Sequence, residues 1–190
     1  MTSDRLPPLL ISEFARYLAS TLRDGRNIDR RTLSRLRRGQ GDRFPWENMD
    51  IQLEVGDKLL DVQSRAAKRP FYIVAVLFPI SPRMGGDGAD IGGVLGKLKV
   101  SGRLTKSKEN EFIGLLKIDR IEDIVGPLRH MVRYLASKDK TIDWIRLLKD
   151  LISWEDEDHK VQQRWIDSFH RLSRPTATER QRTEDGDDVE

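Results

Sequence analysis

The side chains best suited to chemistry in this sequence are cations. Between Arg23 and Arg43 it carries eight Arg against three Asp and no Lys. A guanidinium is a planar fork that holds two phosphate oxygens at once, so an arginine-only bias fits a phosphate backbone better than general solubility. Arg35, Arg37 and Arg38 close this stretch on the side away from Leu33 and Leu36. A second cluster, Lys97, Lys99, Arg103, Lys106 and Lys108, has no acid between its ends. Arg129 and Arg133 stand four apart on a helical face away from the apolar stripe, and Lys117 and Arg120 flank the end of the preceding helix. For that last pair, complementing the helix dipole is an equal reading. The expected phosphate-contacting set is Arg35, Arg37, Arg38, Lys97, Lys99, Arg103, Lys117, Arg120, Arg129 and Arg133.

Other chemistries find little support. Gly85, Gly86, Gly88, Gly92 and Gly93 follow an apolar run, as in a dinucleotide fold, but the spacing is not GxGxxG and Pro79 and Pro82 intervene. Gly96-Lys97 imitates the end of a phosphate-cradling loop, with Ile91 where its first Gly belongs and Leu98 where Ser or Thr would bind magnesium. His130, His159 and His170 share no ligand spacing. The acids Glu155 to Asp158 read as the start of a helix, complementing its dipole, rather than as a cation site. With no cysteine, disulfides, thiolate metal sites and a cysteine nucleophile are excluded, and a reducing compartment fits. No catalytic residue, metal or cofactor is expected.

Aromatic residues do not interleave with the basic clusters. Phe112, Trp144, Trp154, Trp165 and Phe169 fall on inner faces, so contacts through phosphates, not base stacking, are expected. Charge is unevenly spread. Residues 1–149 carry 28 basic against 19 acidic side chains, and residues 150–190 carry 6 against 12. The excess over most of the chain suits an anionic partner, although composition is equally compatible with an arginine-rich solvated surface.

The elements that position these cations read as helices. One spans about Ile11 to Leu22, ended by Gly25. Asp29 caps a second through Arg38, stopped by Gly39 and Gly41. Trp46 to Lys68 is weaker, but Leu53, Leu59, Leu60 and Val62 suggest another helix before Pro70. Phe71 to Ile80 has strand-like composition, but nothing pairs with it, so it is assigned as a buried helix. Helices then start at Ile91, Ser107, Pro127, Thr141 (as cap) and Asp158, the last carrying the stripe Val161, Trp165, Phe169 and Leu172. The longest apolar run is about half of the roughly 20 residues a membrane span needs, and no signal segment is evident. The expectation is an all-α protein of two small packed bundles: residues 1–84, a Gly-rich linker at 85–90, residues 91–175, and a disordered acidic tail at 176–190.

From Ile91 onward the order of features resembles the CasB family, the small subunit of the type I-E CRISPR surveillance complex Cascade. The likeness rests on Ile91-Gly92 with Leu95, then EFIGLLKIDR (Glu111 to Arg120), PLRHMVRYL (Pro127 to Leu135), IDWIRLLKDLISW (Ile142 to Trp154) and VQQRWIDSFH (Val161 to His170), with LSRLRRGQG (Leu33 to Gly41) as a first basic motif. It covers about eighty C-terminal residues in order, and residues 42–90 are not clearly matched. The resemblance implies a helical, non-enzymatic, cytoplasmic subunit present as two copies, partnered by guide RNA, target DNA and the other Cascade proteins. Its basic residues would stabilise the loop formed when the guide pairs with target DNA and the other strand is displaced. Arg37, Arg38, Lys97, Lys117, Arg120 and Arg129 match basic positions of the pattern. Gly93, Asn110 and Glu111 depart from it, Arg being common there. Lys99, Arg103 and Arg133 are added from charge and facing alone. A helical nucleic-acid-binding protein outside CRISPR, or a scaffold whose charges meet other proteins, are the alternatives.

Overall fold

Asp29 sets a pattern that recurs along the chain. Its carboxylate accepts hydrogen bonds from the backbone N–H groups of Arg31 and Thr32, both at 3.1 Å, and starts a helix that buries Leu33 and Leu36. The structure is a computed structural model that describes residues 8–22, 29–60, 62, 64–86 and 88–174. Gly25 and the segment 176–190 lie outside these. Nine α-helices occur among the described residues: α1 (Pro8–Ser20), α2 (Arg30–Arg38), α3 (Met49–Val55), α4 (Arg65–Leu77), α5 (Ile91–Val100), α6 (Lys106–Leu116), α7 (Ile121–Ser137), α8 (Trp144–Ile152) and α9 (Lys160–Leu172). Short 3-10 turns link the early ones, no strand occurs among the described residues, and the fold is all-α.

The ambiguous apolar run is helical. Every side chain from Phe71 to Phe78 is buried, so α4 shows no polar face there and hence no periodicity to read. It begins before the proline that the sequence places ahead of it: Ser64 caps Ala67, and Pro70 lies inside the helix. One backbone hydrogen bond is forfeited there, which the buried run offsets. The stretch from Trp46 to Lys68 is not one helix. A 3-10 turn at Pro45–Glu47 precedes α3, whose start at the Asn48 cap points Ile51 and Val55 inward. Of the apolar residues that suggested that helix, Leu59 and Val62 are buried, whereas Leu53 and Leu60 are 74% and 72% exposed.

Three later boundaries also shift. Pro127 sits in the middle of α7, not its first turn. That helix starts at Ile121, whose N–H donates to Glu155 Oε1 at 2.8 Å, a cap supplied from 34 residues away. Asp143 rather than Thr141 caps α8, accepting from Arg146 N at 2.9 Å. α9 starts after His159, whose φ of 48° breaks the chain direction just beyond Asp158.

Buried side chains of α1 to α9 join in one apolar cluster. Trp144, Trp154 and Trp165 are its largest members, and each indole N–H has a partner: Ser81 O at 3.3 Å, Ile118 O at 2.8 Å and Asp150 Oδ2 at 2.6 Å. The glycines that imitate a nucleotide loop serve packing instead. Gly92 and Gly96 of α5 lie against the α9 backbone at Trp165 and Phe169, where a side chain has no room.

Candidate nucleic-acid interface

The amphipathic pattern of α2 turns Leu33 and Leu36 into the core and leaves Arg30, Arg31, Arg37 and Arg38 exposed. Across a groove open to solvent stands α3. Arg35 pairs with Glu54 at 2.9 Å, and its guanidinium is held more strongly protonated by that hydrogen bond. Arg38 pairs with Asp50 at 2.9 Å. Arg37 has no ion-pair partner among the described residues. The groove, about 440 Å³, is lined by Arg31, Ser34, Arg35, Arg38, Asp50 and Leu53.

A second open groove, about 460 Å³, forms where the Gly-rich loop and the start of α5 meet the segment after α7. Lys97 lines it together with Arg83 and Lys140, alongside the backbone of Gly85 and Gly86. Arg83 pairs with Asp139 at 2.9 Å. Neither Arg83 nor Lys140 stands out in the sequence, because each lies in a loop outside the basic clusters and the two are far apart along the chain.

The expected cluster from Lys97 to Lys108 is partly neutralised by acids just beyond it. Lys99 and Lys106 lie 2.9 and 3.7 Å from Glu109, and Lys108 lies 2.6 Å from Glu111. The hydrogen bond from Lys99 holds the Glu109 carboxyl below its ordinary value. Lys99 also sits 5.0 Å from the Phe169 ring centre. Arg103 is exposed and donates to Lys138 O at 3.1 Å, and its own carbonyl accepts from the Tyr134 hydroxyl at 2.7 Å. Lys108 and Lys138 lie within 5.7 and 5.5 Å of that Tyr134 ring.

On α7 the two arginines separate in role. Arg133 is exposed and has no ion-pair partner among the described residues. Arg129 is half-buried and donates to Asp42 O at 2.7 Å, tying α7 to the loop after α2. Burial, then repulsion from Arg133, lowers its pKa. Lys117 caps the end of α6 and is exposed. Arg120, also exposed, lies 3.4 Å from Glu122, which is shared with Arg69. Neither lines either groove.

Aromatic rings do interleave with cations, contrary to the sequence expectation: besides the lysines over Tyr134 and Phe169, two rings lie side by side after α2, each with an arginine over it. Phe44 and Trp46 are half-buried, their ring centres 5.5 Å apart, with Arg43 5.1 Å over Phe44 and Arg69 5.2 Å over Trp46. No sequence signal marks them, because Phe44 precedes any element read there and Trp46 opens only the weakly patterned stretch to Lys68. A third groove along α9, lined by Arg164, Ser168, Arg171 and Arg174 with Asp167, adds cations that the apolar stripe of that helix overshadows in the sequence.

Among known families, the model of CRISPR-associated protein Cse2 matches residues 32–170, most of the chain. The chain belongs to the Cse2 family. Solved structures share its fold. The Cse2-family protein of Thermus thermophilus superposes with a TM-score of 0.72 at 24% identity, covering 87% of this chain and 99% of that one. CasB of M. ruber gives 0.64 at 24% identity, covering 93% and 98%. A chain of a CRISPR RNA-guided surveillance complex gives 0.68 at 18% identity, covering 94% and 98%. No curated protein sequence matches. The resemblance to CasB drawn from the sequence motifs therefore holds, and the Cse2 match also spans residues 42–90, which those motifs left unmatched. No helix among the described residues is long and apolar enough to cross a membrane.

Proposed function

We propose that this Cse2-family chain is a non-catalytic, nucleic-acid-binding subunit of a CRISPR RNA-guided surveillance complex of the Cascade type. In that role it acts in the cytoplasm beside a second copy and the other subunits, and needs no cofactor. It stabilises the guide RNA–target DNA loop and the displaced strand. The observation that carries this reading is the gathering of Lys97 with Arg83 and Lys140 in one open groove, from segments far apart in sequence.

The carboxylate partners do not disqualify the cations. Exposed ion pairs are worth about 0–1 kcal/mol, so a phosphate chain that engages several cations together can displace them. Exchange of a DNA duplex for an RNA–DNA hybrid is nearly balanced, and a few backbone contacts suffice to tip it. The full-length likeness to a chain of a surveillance complex supports the assembly part of the reading.

The test is charge reversal of Arg37, Arg38 and Lys97 together, followed by reconstitution of the complex. Retained assembly with loss of stable target binding is expected. A second reading, a protein-facing scaffold, has one observation in its favour: Leu53 of α3 is 74% exposed in the groove beside the arginines of α2, and Met49 of α3 is 66% exposed. Failure of assembly itself in the triple variant would favour that reading.

A further inference from the structure

We propose that the loop carrying Arg43, Phe44 and Trp46 is a stacking platform for an unpaired nucleobase, so that single-stranded nucleic acid is held by base as well as by phosphate. The inference rests on the nucleic-acid-binding reading above and extends it from the backbone to the bases.

The loop is built to be stiff. Arg129 Nη2 donates to Asp42 O at 2.7 Å, Asn48 Nδ2 to Asp42 Oδ2 at 2.6 Å, and Gln52 Nε2 to Trp46 O at 2.7 Å. Pro45 is buried between the two aromatics and sets the 3-10 turn that holds them on the surface. Asn48 then caps α3. Rings fixed in this way lose little conformational entropy when a base lands on them.

The chemistry matches a base. Trp46 packs against the apolar core, but Phe44 is not part of that packing. Arg43, 73% exposed, lies over the Phe44 ring and pairs with Asp123 of α7 at 3.1 Å, so a guanidinium and a phenyl ring stand together at the surface, held by an exposed ion pair that a nucleic acid can displace. Aromatic and guanidinium planes are the two surfaces on which splayed-out bases stack. The α2 cations, Arg37 and Arg38, precede the loop in sequence by only a few residues and supply phosphate contacts on the approach.

One property of this chain makes the test selective. Of its four tryptophans, Trp144, Trp154 and Trp165 are at most 1% exposed, so Trp46 alone can report a base at the surface. The full-length protein is titrated at low salt with a thymidine-only single-stranded oligonucleotide while tryptophan emission is followed. Quenching is expected, and Trp46→Phe removes the quenching while leaving the protein folded. Phe44→Ala weakens binding by about fivefold to a hundredfold without changing the salt dependence, because stacking releases no counterions. Phe44→Tyr keeps both affinity and quenching. An Arg37→Gln/Lys97→Gln variant instead lowers the salt slope. If Phe44→Ala binds like wild type and emission is unchanged, while the Arg37/Lys97 variant still weakens binding, stacking is overturned and the phosphate reading stands. If wild type and all variants fail to bind the oligonucleotide, both fall.

Discussion

Gly92 of α5 and Trp165 of α9 are so close that a Cβ built on the glycine would lie 2.0 Å from the Trp165 carbonyl oxygen. One turn on, Gly96 stands in the same relation to Phe169 O, at 2.7 Å. The two helices therefore touch backbone to backbone. This contact fixes where α5 presents Lys97 and Lys99, while α9 carries Phe169, over which Lys99 lies.

Gly92→Ala is expected to destabilise the fold by about 1–3 kcal/mol or more, since the obstacle is main chain and cannot rotate away. Gly114→Ala is the control. A Cβ there meets nothing within 4 Å, and alanine in a helix interior adds about 0.4–1 kcal/mol. Urea unfolding of the two variants checks both signs.

Asp150 is buried beneath α9, where it accepts from Trp165 Nε1 and pairs with Arg164, with Arg146 and Asp90 close by. Burial, with the Asp90 charge adding to it, outweighs Trp165 and the two arginines and raises its pKa above the ordinary 3.8. A carboxyl more easily protonated in the folded state adds stability below its unfolded value and loses it as pH rises through the folded one. Relative to Asp150→Asn, the wild type should thus lose stability as pH rises from about 4 through the raised folded-state value. Unfolding midpoints measured across that range decide it, and the opposite slope would mean that the Arg164 pair dominates.

Arg129 and Arg133, one turn apart, should separate stability from binding. Arg129→Met removes the tie to Asp42 and is expected to cost about 1–3 kcal/mol of stability, and to slacken the 42–48 loop. Arg133→Gln should leave the unfolding free energy within about 0.5 kcal/mol of wild type and lower the salt slope of single-strand binding by about 0.7, the value of one phosphate contact. Denaturant titration and binding at several salt concentrations separate the two roles.

Residues 176–190 carry six acids against two arginines. Competition between this segment and nucleic acid for the basic grooves predicts that removing it tightens low-salt binding to DNA several-fold, and that the gain disappears at high salt as charges are screened. Unchanged affinity of the free protein would dismiss the competition.

Much of this could be read before any coordinates. Leu33 and Leu36 against the α2 arginines, and Val161, Trp165 and Phe169 on α9, follow a 3.6-residue rhythm that depends only on local geometry. The helical class and the positions of the cationic stretches follow from that rhythm and from residue type. The C-terminal motifs added the family. What spacing does not carry is distance across the fold. Glu54 neutralising Arg35, Glu155 capping α7, and Lys97 joined by Arg83 and Lys140 are encounters between segments that only packing brings together. Leu53 faces water because α3 restarts at Asn48, and a register change of that kind leaves no mark in composition. Which cations stay available to a partner is decided by those encounters, since a charge is spent or kept according to what lies within a few ångströms of it.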